Sequence, residues 1–229
     1  MNCRIRPLVP EHVAKVKNVE EDFFISGVPI PLRSRQVLEL ELPPLYVHSR
    51  LTMPVHIIRG AKDGPRLFVS AAIHGDEING TEIIRRLLNH PALKRLRGIL
   101  VAVPIVNIYG LIHQSRYLPD RRDLNRSFPG SQKGSLAARL AYLFMNEIVT
   151  PCTHGIDLHT GAIHRNNLPQ VRANLDDPQT AELARAFGVP VLLNSTLRDG
   201  SLREAAADIG IPMLLYEAGE ALRYDEVSI

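Results

Sequence analysis

The sequence predicts an α/β fold, a three-layer α/β/α sandwich around a mixed, mostly parallel central sheet. Two observations carry this expectation. Residues 66–73 and 98–106 are nearly continuous apolar runs, as expected of strands covered on both faces. Around them, apolar residues recur at helical spacing, so strands alternate with helices along the chain. No repeat, low-complexity tract or linker divides the 229 residues, a length that suits one large domain.

In chain order, residues 1–35 show no clear period, and residues 1–50 read as an N-terminal extension with edge strands. Residues 36–42 alternate polar and apolar side chains until Pro43 and Pro44 stop them, which predicts a strand. A second short strand, 55–59, ends in the turn cluster Gly60-Ala61-Lys62-Asp63-Gly64-Pro65. The buried strand at 66–73 leads into a helix over 77–88, with Ile83, Ile84, Leu87 and Leu88 at helical spacing. The strand at 98–106 opens onto a long, polar, Arg-rich stretch, 107–134. Loops of that length in compact domains are usually functional or disordered. A helix over 135–149 and a short strand at 155–158 come next. The helix after them, 177–187, has Pro178 near its start and Gly188 beyond its end. A strand at 189–193, a helix at 201–209 closed by Gly210, and a strand at 211–216 complete the order.

Composition excludes several classes. Hydrophobic residues at 45% against 22% charged rule out wholesale disorder. No apolar run approaches the ~18–20 residues of a membrane span, and the segment Met1-Asn2-Cys3-Arg4-Ile5-Arg6-Pro7 does not read as a secretory signal. Two cysteines, Cys3 and Cys152, are too few for a disulfide framework and fit a reducing, cytoplasmic setting. The net charge of +3 could suggest nucleic acid. However, Arg85, Arg86, Lys94, Arg95 and Arg97 interleave with leucines as a solvated face, and aromatic residues are 5% with no Trp. Base stacking is therefore poorly supplied, and a basic site for an anionic small molecule fits better.

In open α/β sheets ligands bind beyond the carboxyl ends of the strands. The predicted strands end, in chain order, at His74-Gly75-Asp76-Glu77, at Asn107, at His159-Thr160-Gly161 and at Glu217-Ala218-Gly219-Glu220. With Glu77 opening its helix, His74 and Glu77 can face one point. A His-x-x-Glu pair with a distant His is the three-ligand set of a catalytic zinc site. The alternative is a surface His beside acids that favour a helix N-terminus. Asp157 and His159 share a strand face, so Asp157 either orients a ligand or is an unrelated charge at the strand edge. His113, His154 and His164 read as surface residues. The run from Arg116 to Gly130 holds four Arg, Arg116 and Arg126 among them, with Asp120, Asp123 and Asn125. It suits either a carboxylate clamp or a salt-bridged surface loop.

Taken together, His74-Gly75-Asp76-Glu77, the segment from Asp123 to Gly130, Asp157-Leu158-His159-Thr160-Gly161 and Glu217-Ala218-Gly219 resemble the succinylglutamate desuccinylase/aspartoacylase family of the zinc carboxypeptidase superfamily. The match is in the family's order, over roughly residues 50–220. The resemblance implies a zinc carboxypeptidase-like catalytic domain spanning residues 1–229. It implies zinc held by His74, Glu77 and His159, with Glu217 as general base and proton shuttle. Arg116 would polarise the scissile carbonyl, and Asn125 and Arg126 would hold the substrate carboxylate. The implied reaction is hydrolysis of an N-acyl amino acid. A peptide carboxypeptidase using the same residues and a metal-binding module without turnover are the other readings. The partner is then a small molecule, with neither nucleic acid nor membrane, and a homo-oligomer is compatible. Two departures stand out: Ile108 stands after Asn107 where the family often has Pro, and the chain ends at Ile229, soon after Glu220. The family's β-rich C-terminal domain is thus expected to be absent, with no polar cap closing the sheet and weak activity for the chain alone.

Overall fold

A computed structural model describes residues 23–45 and 50–229. Residues 1–22, Cys3 among them, lie outside the described residues. The strands are β1 (Phe24–Ile25), β2 (Val28–Pro29), β3 (Ser34–Glu41), β4 (Thr52–Arg59), β5 (Arg66–Ala71), β6 (Ile99–Val103), β7 (His154–Gly161), β8 (Asn167–Ala173), β9 (Val191–Asn194) and β10 (Met213–Glu220). The α-helices are α1 (Asn79–Leu88), α2 (Ile108–Ile112), α3 (Leu136–Phe144), α4 (Pro178–Phe187) and α5 (Leu202–Asp208). The stretch expected to be irregular before residue 35 holds the β1–β2 hairpin, turned at Ser26 and Gly27, both at positive φ.

The main sheet has the order β3-β4-β6-β5-β7-β10-β8-β9. Its centre, β6-β5-β7-β10, is wholly parallel, and β8 and β9 are parallel to each other. The β3–β4, β4–β6 and β10–β8 pairings are antiparallel. Each face carries its own apolar core. Phe68, Val101 and Met213 pack with α3 and α5 on one side; Val69, Ala102 and Leu214 pack with α1 and α4 on the other. This is the three-layer arrangement that buried strands require. Phe68 is fully buried, edge-on to Phe144, which meets Phe128 in turn. Truncating Phe68 to Ala is expected to cost about 3–5 kcal/mol.

Several elements differ from expectation. The long polar stretch is not unstructured: Asn107 caps α2 by accepting from the Gly110 N–H (2.8 Å), and Leu124–Arg126 forms a 3-10 turn. Buried Leu118, Leu124 and Phe128 anchor the stretch to the core. The short strand at 155–158 runs on to Gly161, and the last strand to Glu220. Strand β8 has no counterpart in the sequence pattern, because Pro169 interrupts it. In the structure Pro169 falls at the register shift between Glu217 and Gly219 and beyond the β9 pairing, where a missing N–H disrupts no ladder bond.

The expectation of an uncapped sheet also fails. Residues after β10 fold back over the start of α1. Leu222 N–H donates to the Asp76 carbonyl (2.8 Å), and Asp225 N–H to Asn79 Oδ1 (3.0 Å). The Tyr216 hydroxyl donates to the Ser228 carbonyl (2.7 Å), and Arg86 grips Glu226 with two bonds. The polar residues Asp225 and Ser228 close this turn on each other (2.6 Å). No helix among the described residues is long and apolar enough to cross a membrane.

Candidate metal centre

Because β6, β5, β7 and β10 run parallel, their carboxyl ends bring Asn107, His74, His159 and Glu217 toward one edge of the sheet. His74 and Glu77 do meet, although not on a helix. Helix α1 starts at Asn79, and Glu77 lies in a turn whose N–H donates to the His74 carbonyl (3.1 Å). The turn requires Gly75: a Cβ there would lie 1.9 Å from the Gly110 carbonyl carbon of α2. His74 Nδ1 sits 2.8 Å from Glu77 Oε1, and His159 Nδ1 sits 2.7 Å from Glu77 Oε2. Thr160 N–H also donates to Oε2 (3.1 Å). One ligand atom from each of the three buried residues lies within 4.8 Å of the others.

Each imidazole is fixed from behind by a carboxylate. His74 Nε2 is 3.2 Å from Asp123 Oδ1, and His159 Nε2 is 2.5 Å from Asp157 Oδ2. Asp157 is fully buried and also accepts from Ser70 Oγ (2.7 Å). It therefore orients His159 and is not a strand-edge charge. Both rings turn Nδ1 to a common point, as metal-ligating histidines do when a carboxylate takes the other nitrogen.

The electrostatics suit a cation at that point. Burial alone would raise the Glu77 pKa, but the adjoining His74 and His159 hold it far below the usual carboxylate range. Burial opposes charging of both rings, yet Glu77 with Asp123 raises the His74 pKa, and Asp157 with Glu77 raises that of His159 well above its ordinary value. Asp123 is likewise pulled low against its burial, by His74 and Arg116. The Arg116 guanidinium leans into the same place. It pairs with Asp123 Oδ2 (3.0 and 3.1 Å), and its NH1 lies 3.3 Å from His74 Nδ1 and 3.4 Å from Glu77 Oε1. Two imidazole nitrogens and a carboxylate, all buried and pre-oriented, fit a metal ion with one open position.

The three residues line a cavity of about 300 Å³, together with Arg116, Asn125, Arg126 and Glu217. Asn125 Oδ1 accepts from the Leu202 N–H (2.9 Å), tying the Arg-rich stretch to α5, and Arg126 NH1 donates to the Asn125 carbonyl. Of the four arginines in that stretch, Arg116 and Arg126 line the cavity, whereas Arg121 and Arg122 are exposed away from it. Glu217 Oε2 accepts from Asn167 Nδ2 (3.0 Å) and Gln170 Nε2 (3.4 Å), and pairs with Arg172 (3.1 Å). Glu220 is not a lining residue; it accepts from the His164 N–H (2.8 Å). Asn107 is also outside the cavity. Besides capping α2, it donates to the Ile73 carbonyl (3.3 Å) and so steadies the segment entering His74. His113 and His164 are exposed, as expected, whereas His154 opens β7 and is half-buried beside Thr153.

Sequence reasoning missed Arg165, Arg172, Arg198 and Arg203, which also line the cavity. Arg203 is buried, and burial with the neighbouring charges of Arg172 and Arg198 lowers its pKa. Its NH2 donates to the Thr196 carbonyl (2.6 Å). Alternation of Gln170 and Arg172 with Val171 and Ala173 is the signal that could have revealed β8 and its cavity-facing residues.

The model of the family described as succinylglutamate desuccinylase/aspartoacylase catalytic domain matches residues 63–229. N-alpha-acetyl-L-2,4-diaminobutyric acid deacetylase of Halomonas elongata is 30% identical over 144 residues, 60% of this chain and 42% of that protein. A probable aspartoacylase of Prochlorococcus marinus is 31% identical over 142 residues, 57% of this chain and 46% of that protein. The chain thus spans less than half the length of these two curated relatives. The crystal structure of a succinylglutamate desuccinylase/aspartoacylase from Rhodobacter sphaeroides superposes with a TM-score of 0.76 at 25% identity, covering 85% of this chain and 61% of that one.

Proposed function

The chain belongs to the succinylglutamate desuccinylase/aspartoacylase family, and from that premise we propose that it hydrolyses the amide bond of an N-acyl amino acid, with zinc held by His74, Glu77 and His159. The observation that carries this reading is the presence of a carboxylate, Glu217, in the same cavity as the buried His/Glu/His set. A site that only bound metal would have no use for it.

Bound there, zinc would supply Lewis acidity and lower the pKa of a coordinated water toward ~7. The remaining chemistry falls to the chain. Glu217 accepts the proton of the attacking water and returns it to the leaving amine. Arg116 offers N–H donors to the carbonyl oxygen as it gains negative charge. Arg126, beside Asn125, pairs with the carboxylate of the amino acid. Six arginines against two carboxylates around the cavity favour an anionic substrate over a neutral or cationic one.

The test is turnover of a panel holding N-acetylaspartate, N-succinylglutamate, N-acetyl-2,4-diaminobutyrate and a short peptide by the zinc-loaded chain. The expected result is release of free amino acid, lost on chelation, with Glu217→Gln keeping zinc while kcat falls ~10²–10⁴-fold. Zinc binding without any turnover would identify a binding module. Trimming of the peptide alone would identify a carboxypeptidase.

A further inference from the structure

We propose that β8 is the positioning element for Glu217 and that Arg172 is its principal positioning residue, with Asn167 and Gln170 assisting. The proposal rests on the reading of Glu217 as the general base.

Strand β8 lies antiparallel beside β10, with Gln170 opposite Glu217 and Arg172 opposite Leu215. Side chains alternate along a strand. Val171 and Ala173 are fully buried in the core under α4, so Gln170 and Arg172 point to the opposite face, which Glu217 and Leu215 share. A shift in register between Glu217 and Gly219 brings Asn167 to the same carboxylate. The two amide donors and, as an ion pair, the Arg172 guanidinium converge on one oxygen, Oε2. The other oxygen, Oε1, has no hydrogen-bond partner among the described residues, and Glu217 lines the cavity.

This asymmetry suits a shuttle. One oxygen is anchored, which fixes the plane of the carboxylate; the other keeps its lone pairs for a proton. Arg172 contributes most because the pair is partly enclosed, with side-chain exposures of 32% for Arg172 and 18% for Glu217. The guanidinium also brings a full opposite charge to 3.1 Å from Oε2, where the two amides bring only dipoles. Lys at this position keeps the charge that pairs with Oε2. A base displaced by ~1 Å from its productive position loses about 10²-fold in rate.

The test is a double-mutant cycle on the zinc-loaded chain, using the fastest-cleaved panel member from N-acetylaspartate, N-succinylglutamate and N-acetyl-2,4-diaminobutyrate. Arg172→Ala should lower kcat about 10²-fold with KM within about threefold of wild type and zinc content unchanged, and Arg172→Lys should recover part of it. In the Glu217→Gln background the Arg172→Ala change should cost no further kcat, because both act on one step. An additive loss in the double variant, or a rise in KM with kcat intact, would overturn the proposal and make Arg172 a reader of the substrate. An active Glu217→Gln would instead refute the base assignment on which the proposal stands. Crystal structures of the zinc-loaded wild type and Arg172→Ala give a readout free of turnover. Glu217 should leave its place in the variant, and an unmoved carboxylate would contradict the proposal.

Discussion

Replacing Asp157 by Asn tests whether the buried carboxylate behind His159 sets the metal affinity. Asp157 is wholly enclosed, with Ser70 Oγ on one oxygen at 2.7 Å and His159 Nε2 on the other at 2.5 Å. With the Nε2 proton given to the carboxylate, the Nδ1 lone pair is left to face Glu77 and the proposed metal. Asn is nearly isosteric, so packing should survive. Its amide can take two orientations. With its NH₂ toward Nε2, it forces the ring proton onto Nδ1 and removes a metal ligand. With its carbonyl toward Nε2, the tautomer is kept, but the full negative charge that made the imidazole a better donor is gone. Loss of such a partner weakens metal binding ~10–100-fold, or about 1.4–2.7 kcal/mol. The assay is competition for zinc against a calibrated chelator. Ser70→Ala, which removes the more distant bond and leaves the charge, should lose much less. Equal zinc affinity in wild type and a folded Asp157→Asn would refute the claim that Asp157 orients His159 as a ligand.

Other single sites give equally definite outcomes. Gly75→Ala drives a Cβ into the α2 backbone at Gly110, so it should displace the His74 turn and lower both melting temperature and zinc content; wild-type values for both would show that the turn can yield. Arg126→Ala should weaken substrates with a free α-carboxylate and spare their amide analogues, since only the acid offers an anion to the guanidinium; equal losses for acid and amide would make Arg126 a support of the loop. Burial pushes the Cys152 thiol up to about 12. In a Cys3→Ser background the folded chain should therefore resist a thiol reagent at pH 8 and react only on unfolding, whereas rapid labelling of native protein would place Cys152 at the surface.

The central strands and the candidate metal ligands are legible in the sequence because each rests on a local signal. The runs at 66–73 and 98–106 have the pattern of strands covered on both sides, and parallel strands deliver their carboxyl-end residues to one edge. His74 and Glu77 converge in the structure through a turn, not the helix start that their spacing suggests. The reason is nonlocal, since α2 presses against Gly75 from 35 residues away. Strand β8 is hidden by Pro169, which is tolerated only because the register shifts there, a fact held by the pairing with β10. The cavity arginines are invisible for the same reason. Arg165, Arg172, Arg198 and Arg203 sit on separate segments, and only the fold gathers them around one cavity. Asp123 and Asp157 show the middle case, where a motif names the residue but only geometry shows which ring nitrogen it holds.

Elemental analysis of the purified chain addresses the central claim most directly. The expected result is about one tightly held zinc per wild-type chain, with near-complete loss in His74→Ala and in His159→Ala, because three protein ligands are the usual set that leaves a position open for chemistry. Zinc at the same stoichiometry in all three proteins would contradict the assignment of His74, Glu77 and His159 as the metal centre.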